Sequence, residues 1–178
     1  MDDLTKLAIK NRTDKWGKHK YTPVYFDLFK DKRDKVKKVL EIGSAENAGV
    51  KMFRDFFPKA MIYGAEVDLD RVERSQEEKE RRIKVYQCDQ TNGEDILALL
   101  NTIGYDLDLI IDDGSHKPED QVFTFNFIFP KLVDGAIYVI EDVADESIYE
   151  KLKFGNSKSC AMMKLSDRYD DRLIIVKK

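Results

Sequence analysis

The chain has 178 residues, 42% of them hydrophobic and 37% charged, which suits one globular domain with a real core and a heavily charged surface. A formal net charge of −3, with acids and bases interspersed, argues against a nucleic-acid partner, since duplex binders ordinarily carry a basic balance or stripe. No apolar run approaches the roughly 18 residues of a membrane span, and the acidic start Met1-Asp2-Asp3-Leu4 lacks the apolar stretch of a secretory signal, so a cytoplasmic protein is expected.

Residues 1–35 are expected to form a cap segment within a single domain, 1–178. In this segment His19 sits in a polar stretch, either solvated or turned toward a substrate. Trp16 and Tyr21 read first as packing residues, and Tyr21 joins the candidate cofactor contacts if the segment closes over a ligand. Lys30–Lys38, basic with two aspartates, reads as a solvated face, as does the mixed-charge stretch Glu73–Lys84.

Val36–Ile42, Met61–Val67, Ile83–Cys88, Leu107–Ile111 and Ala136–Ile140 are short runs rich in Val, Ile and Leu. They are too short for typical buried helices and read as strands covered on both faces, hence a parallel sheet. Between them, Ala48–Phe57 sets Val50, Phe53, Phe56 and Phe57 on one side and is stopped by Pro58. Asp70–Arg82 is charged and starts with an acid; Gly93–Ile103 carries Ile96, Leu97, Leu99, Leu100 and Ile103. Pro118–Leu132 opens on proline and repeats Val122, Phe125 and Phe129. This alternation predicts a doubly wound α/β sheet with helices on both faces. Cys160–Leu165 and Arg172–Val176 have no room for a helix between them and predict an antiparallel C-terminal hairpin on one edge of an otherwise parallel, Rossmann-like sheet. Cys88 and Cys160 form neither a disulfide framework nor a zinc spacing and read as buried thiols.

Ligands of open α/β sheets bind outside the carboxyl ends of the strands. The residues just past each apolar run are Glu41, Gly43, Ser44, Asn47 and Gly49, then Glu66 and Asp68, then Asp89 and Gln90, then Asp112, Asp113 and His116, then Glu141 and Asp142. All five strands end in a carboxylate, a concentration of like charge that is costly when desolvated and that a structural protein does not need. Singly, each acid also reads as a helix N-cap. The turn Gly43–Gly49 has glycine only at its two ends, too few for the G-x-G-x-x-G approach to a pyrophosphate. A ribose-bearing cofactor without that phosphate fits better. Glu66, about 20 residues on, is the expected partner of ribose hydroxyls, and Asp89 is placed to flank an adenine and accept from its amino group. Together these features point to S-adenosylmethionine, with Glu41, Gly43, Ser44, Asn47, Glu66, Asp68, Asp89, Gln90, Asp112 and Tyr21 as candidate contacts. Ser44 and Ser115 are poor nucleophiles, because neither sits in a G-x-S-x-G elbow.

Asp108-Leu-Ile-Ile-Asp-Asp-Gly-Ser-His116, followed by Phe129-Pro-Lys-Leu-Val-Asp-Gly-Ala-Ile-Tyr-Val-Ile-Glu-Asp142, resembles the macrolide sugar O-methyltransferases, which methylate mycinamicin and macrocin and have wider relatives in antibiotic and surface-glycan synthesis. Arg12–Tyr25, Met52–Pro58 and Ile62–Glu66 are similar to the same group, so the resemblance runs from Asn11 to Val143. It implies a magnesium-dependent methyl transfer to a sugar or glycan hydroxyl, with Asp113, Glu141 and Asp142 holding Mg²⁺ and with Asp113 and His116 catalytic, His116 as general base. Hard oxygen ligands suit Mg²⁺, and an imidazole takes the proton of a hydroxyl that a cation has acidified. The other reading of His116 is a cap on the turn before Pro118. The chain departs from the group at Asn47-Ala48, where two adjacent glycines are usual, and Asn tolerates the left-handed conformation. Glu46 adds an acid there, to bind the methionine amino group or repel its carboxylate. The short segment Val143–Ser159 leaves little room for an acceptor lid. An exposed acceptor such as a polymer end or surface glycan is therefore expected, unless a second copy of the chain or the N-terminal segment completes the site. Two further readings are a catechol-like or other small hydroxyl acceptor, and a cofactor-binding partner subunit without turnover.

Overall fold

A computed structural model describes residues 1–178. Two helices precede the first strand: α1 (Asp3–Asn11) and α2 (Thr22–Phe29). There follow β1 (Lys38–Ile42), α3 (Ala48–Phe56), β2 (Met61–Glu66), α4 (Leu69–Glu78), β3 (Ile83–Gln87) and α5 (Gly93–Ile103). Then come β4 (Leu109–Asp112), α6 (Pro118–Ile128), β5 (Ile137–Ile140), the single-turn α7 (Ile148–Lys151), β6 (Ser159–Lys164) and β7 (Arg172–Lys177). The seven strands form one sheet in the order β3-β2-β1-β4-β5-β7-β6. The first five run parallel, and the C-terminal hairpin lies on one edge, as expected, beside β5 and with its second strand inside, antiparallel to β5.

The order reverses between β1 and β4, which opens a crevice at their carboxyl ends. Register brings those ends level: Ile42 pairs with Asp112, and Asp112 with Ile140. Gly43, Asp113 and Glu141 therefore leave the sheet side by side.

Alternating strand residues feed two cores. Leu40, Ile110, Tyr138 and Ile174 pack on one face with Leu100 of α5 and Phe125 of α6. Val39, Leu109, Val139 and Ile175 pack on the other with Leu4 and Ala8 of α1, Tyr25 and Phe29 of α2, and Phe53 and Phe56 of α3. Edge-to-face pairs of Tyr25 with Phe53 at 5.3 Å and Phe29 with Phe57 at 5.2 Å join the N-terminal helices to α3.

Several boundaries differ from expectation for local reasons. Helix α4 starts at Leu69 because Asp68 caps it, and ends before Lys79, which is left-handed. Arg82 lies beyond it and donates to the carbonyls of Arg54, Phe57 and Ala60. Cys88 is buried as expected, but Cys160 is only half-buried, its Sγ 2.8 Å from the Tyr149 hydroxyl. No helix is long and apolar enough to cross a membrane.

Candidate active site

The turn after β1 is forced against the turn after β4. Gly43 has φ +82°, and a Cβ there would overlap the Asp113 carbonyl; a Cβ on Gly114 would overlap Gln90 Oε1. These two glycines border a cleft of about 580 Å³ at the strand ends, a size in the usual range of small-molecule sites. Glu66 lies on its wall with both carboxylate oxygens fixed: Oε2 accepts from the Ala45 N–H at 2.8 Å and Oε1 from the Asp68 N–H at 3.0 Å. Asp89 Oδ1 accepts from the Thr91 N–H at 2.8 Å and its hydroxyl at 2.7 Å, and these bonds hold the carboxyl below its ordinary range. Gln90 ties the base together: its Oε1 accepts from the Ser115 N–H at 2.6 Å, and its Nε2 donates to Asp112 Oδ1 at 3.2 Å and Thr124 Oγ1 at 3.1 Å. Burial pushes the Cys88 thiol on the same wall up to about 12.

Of the expected cofactor contacts, the structure brings Gly43, Glu66, Asp89 and Gln90 to the cleft. The others lie elsewhere. Glu41 is buried beneath the turn, and burial pushes its carboxyl up to about 7 against the pull of Lys15. Ser44 and Asn47 are also buried below it, Asn47 at φ +62°, with Ser44 Oγ and Asn47 Oδ1 lacking a protein partner. Asp112 faces the core, where Tyr138 donates to it at 3.3 Å and burial pushes its carboxyl up to about 7. Asp68 accepts from the Asp70 and Arg71 N–H groups at 2.9 and 3.3 Å, the helix-cap role open to any of these acids. Tyr21 is buried, donating to Asp142 Oδ1 at 2.6 Å and accepting from the Asp142 N–H at 3.1 Å. Glu46 is exposed and pairs with Arg71 and Arg74 of α4 at 3.3 and 3.5 Å.

His19 is neither solvated nor turned toward the cleft. It is 1% exposed, stacked on Tyr21 at 4.7 Å, with Nδ1 3.3 Å from Asp171 Oδ1 and Nε2 3.5 Å from Asp142 Oδ1. Trp16 is half-buried under the Lys20 ammonium, 4.4 Å from its ring centre.

At one end of the cleft Asp113, His116 and Asp142 offer ligand atoms that all lie within 4.8 Å of one another. His116 Nδ1 is 3.9 Å from Asp113 Oδ1 and 3.9 Å from Asp142 Oδ2. Carboxylate oxygens are the donors Mg²⁺ prefers, so Asp113 and Asp142 fit that ion in type. His116 Nδ1, 3.9 Å from both, is too far from each to be a neighbouring ligand in an octahedron of 2.0–2.1 Å bonds, where adjacent donors lie about 3 Å apart. Two of the three residues adopt left-handed backbone, His116 at φ +58° and Asp142 at +51°. Glu141, expected among the ligands, stands behind this group. Its Oε1 accepts from the Tyr25 hydroxyl and its Oε2 from the Lys15 ammonium, both at 2.5 Å, and it is 1% exposed. A second cluster, His19, Asp142 and Asp170, has its oxygens already partnered, by Tyr21 on Asp142 and by Arg168 on Asp170 at 3.1 and 3.0 Å.

Sequence reasoning did not single out Lys15. Its side chain is 2% exposed, and burial alone would drive off its proton. Asp113, Glu141 and Glu41 reverse that and hold the ammonium well above its ordinary range. A lone lysine in a polar segment carries no periodic signal. The pointer to it was the excess of strand-end acids, which requires a buried cation somewhere.

No family model matches the chain. It is 33% identical over 148 residues to the 8-demethyl-8-alpha-L-rhamnosyl tetracenomycin-C 2'-O-methyltransferase of Streptomyces olivaceus, covering 79% of this chain and 37% of that protein. It is 35% identical over 149 residues to the mycinamicin VI 2''-O-methyltransferase of Micromonospora griseorubida, covering 79% and 36%. Its fold matches the MycE methyltransferase of the mycinamycin pathway, solved in complex with Mg, SAH and mycinamycin VI. The TM-score is 0.80 and the identity 26%, over 99% of this chain and 54% of that one. The chain thus spans little more than a third of the length of the curated relatives it matches. The chain has the fold of the class I S-adenosylmethionine-dependent methyltransferases, and in sequence it resembles the macrolide and tetracenomycin sugar O-methyltransferases.

Proposed function

We propose that the chain transfers a methyl group from S-adenosylmethionine to a hydroxyl of a sugar, glycan or glycosylated natural product, with Mg²⁺ held by the carboxylates of Asp113 and Asp142. The observation that carries this reading is a shared border: Asp113 and His116 both line the cleft and both belong to the candidate cation cluster. A cofactor in the cleft and an acceptor on the cluster would therefore meet.

Glu66, its oxygens preset by two backbone donors, is a rigid acceptor for ribose hydroxyls. Asp89, preset by Thr91, is one for the adenine amino group. Magnesium, when bound, would polarise the acceptor hydroxyl as a Lewis acid. His116 is 44% exposed in its side chain and faces the open end of the site, where it can take the hydroxyl proton. His116 makes no hydrogen bond to the turn before Pro118, where Ser115 Oγ accepts from the Lys117 N–H at 3.3 Å and α6 has no side-chain cap, so the His116 ring is free for the proton. The remaining work is alignment of oxygen, methyl carbon and sulfur, which rigid strand ends are suited to provide. The sugar acceptor is supported by the relatives, whose names specify hydroxyls of sugars on natural products. An acceptor presented on a larger glycan is favoured by the short connection from β5 to β6, which carries only the single-turn α7.

Titration calorimetry with S-adenosylmethionine and S-adenosylhomocysteine, joined to a methyl-transfer assay on rhamnosylated acceptors, tests the reading. Binding of both ligands is expected, with transfer lost in EDTA and restored by Mg²⁺. The His116→Ala variant should keep its S-adenosylhomocysteine affinity and lose transfer by roughly 10²–10⁴-fold. Failure to bind either ligand would overturn the cofactor; transfer that persists in EDTA would overturn the metal.

A further inference from the structure

We propose that Lys15 is a positioning residue that sorts the strand-end carboxylates, turning those of Glu41 and Glu141 inward and leaving one oxygen of Asp113 for a cation at the cleft. The Lys15 Nζ lies 3.0 Å from Glu41 Oε1, 2.6 Å from Asp113 Oδ2 and 2.5 Å from Glu141 Oε2. These acids come from three adjacent strands, β1, β4 and β5, whose carboxyl ends are level. An ammonium has three protons to donate and no acceptor, so the three oxygens saturate it.

The consequences differ among the three acids. Glu141 has its other oxygen on Tyr25, and Glu41 packs against Gly49 beneath the β1 turn, so neither is available to the cleft. Asp113 is held by Oδ2 alone. Its Oδ1 points the opposite way, to within 3.9 Å of His116 Nδ1. Lys15 thereby fixes both the side-chain rotation of Asp113 and the number of oxygens it can offer. A lysine suits this position better than an arginine, because three divergent acceptors match a compact ammonium and not a planar fork. The backbone around it is also held: the Lys15 carbonyl accepts from the Tyr21 N–H at 3.1 Å, and α1 before it packs against α3.

This inference rests on the metal-assisted reading above, and the sign of one measurement separates positioning from simple charge. A lysine acting only as a nearby positive charge would oppose a bound cation, so its removal would tighten cation binding. A lysine that positions Asp113 would weaken cation binding when removed. Mn²⁺ binding, read by electron paramagnetic resonance, is to be compared in the unaltered chain, in Lys15→Met, and in Lys15→Met combined with Glu41→Gln, which leaves the net charge of the cluster unchanged. The double variant removes one buried acid along with the ammonium, so simple charge predicts unchanged Mn²⁺ binding there, and the comparison stays readable where the single variant unfolds. In each variant with native circular dichroism and unchanged S-adenosylhomocysteine affinity, the Mn²⁺ dissociation constant should rise roughly 10- to 100-fold, the usual cost of losing a partner that orients a metal ligand. Equal or tighter Mn²⁺ binding overturns the role of Lys15. An unaltered chain that binds S-adenosylhomocysteine but no Mn²⁺ overturns the metal-assisted reading itself, a result seen without any substitution.

Discussion

Asp142 holds φ +51°, a left-handed conformation that costs an L-residue roughly 1–2 kcal/mol. Tyr21 offsets that cost, because its hydroxyl accepts the Asp142 N–H and donates to the Asp142 carboxylate. Replacing Tyr21 by Phe strands both groups in a buried site, so urea unfolding should show a loss of about 1–3 kcal/mol. S-adenosylhomocysteine affinity should be retained, since Tyr21 does not border the cleft; lost affinity at unchanged stability would return Tyr21 to the cofactor. Residues of this kind were only partly legible in the sequence. Glu66, Asp89, Asp113 and His116 could be found because each follows a strand, and strand ends are where such sheets bind ligands. Which member of Asp112-Asp113 or Glu141-Asp142 faces the cleft could not be read, because neighbouring residues of extended chain point to opposite faces. Asp112 turned to Tyr138 and the core, Asp113 to the cleft.

The strands and the helices between them followed directly from apolar period and punctuation: Gly93–Ile103 and Pro118 appear in the structure at the expected starting residues. Helices α1 and α2 did not, because α1 buries only Leu4, Thr5 and Ala8 and α2 is a short aromatic helix opened by Pro23. Their stripes, Leu4, Leu7 and Ala8 in α1 and Tyr25 and Phe29 in α2, are each too short to stand out from the surrounding polar sequence. The acids at the end of β2 illustrate a division that only three dimensions resolve. Glu66 faces the cleft, whereas Asp68 starts α4 with a side chain 47% exposed. Asp68→Ala should therefore lower stability by about 1 kcal/mol, the cost of a lost N-cap, and leave S-adenosylhomocysteine affinity in place. A calorimetric loss of affinity without a shift in the unfolding midpoint would make Asp68 a ligand contact.

Across the whole molecule the two cores share one sheet, with alternate residues of β1, β4 and β5 divided between them. The N-terminal helices belong to the second core through Leu4, Tyr25 and Phe29, so residues 1–35 are proposed to fold with the rest as one unit. Trp16, the only tryptophan, lies in that segment. Its fluorescence and far-UV circular dichroism should therefore trace the same urea transition. Fluorescence changing at lower urea would show that the segment detaches first. The position of β7 carries a different consequence, for the order in which the chain is made. β5 receives its antiparallel partner from β7 and not from β6, although β6 is synthesised first. At roughly 5–20 residues per second, the thirty or so residues after Ile140 take a few seconds to emerge, and for that interval the edge of β5 stands unpaired. On the ribosome this edge is where a nascent chain would seek a wrong partner, and it is the surface a chaperone would need to cover until Arg172–Lys177 arrives.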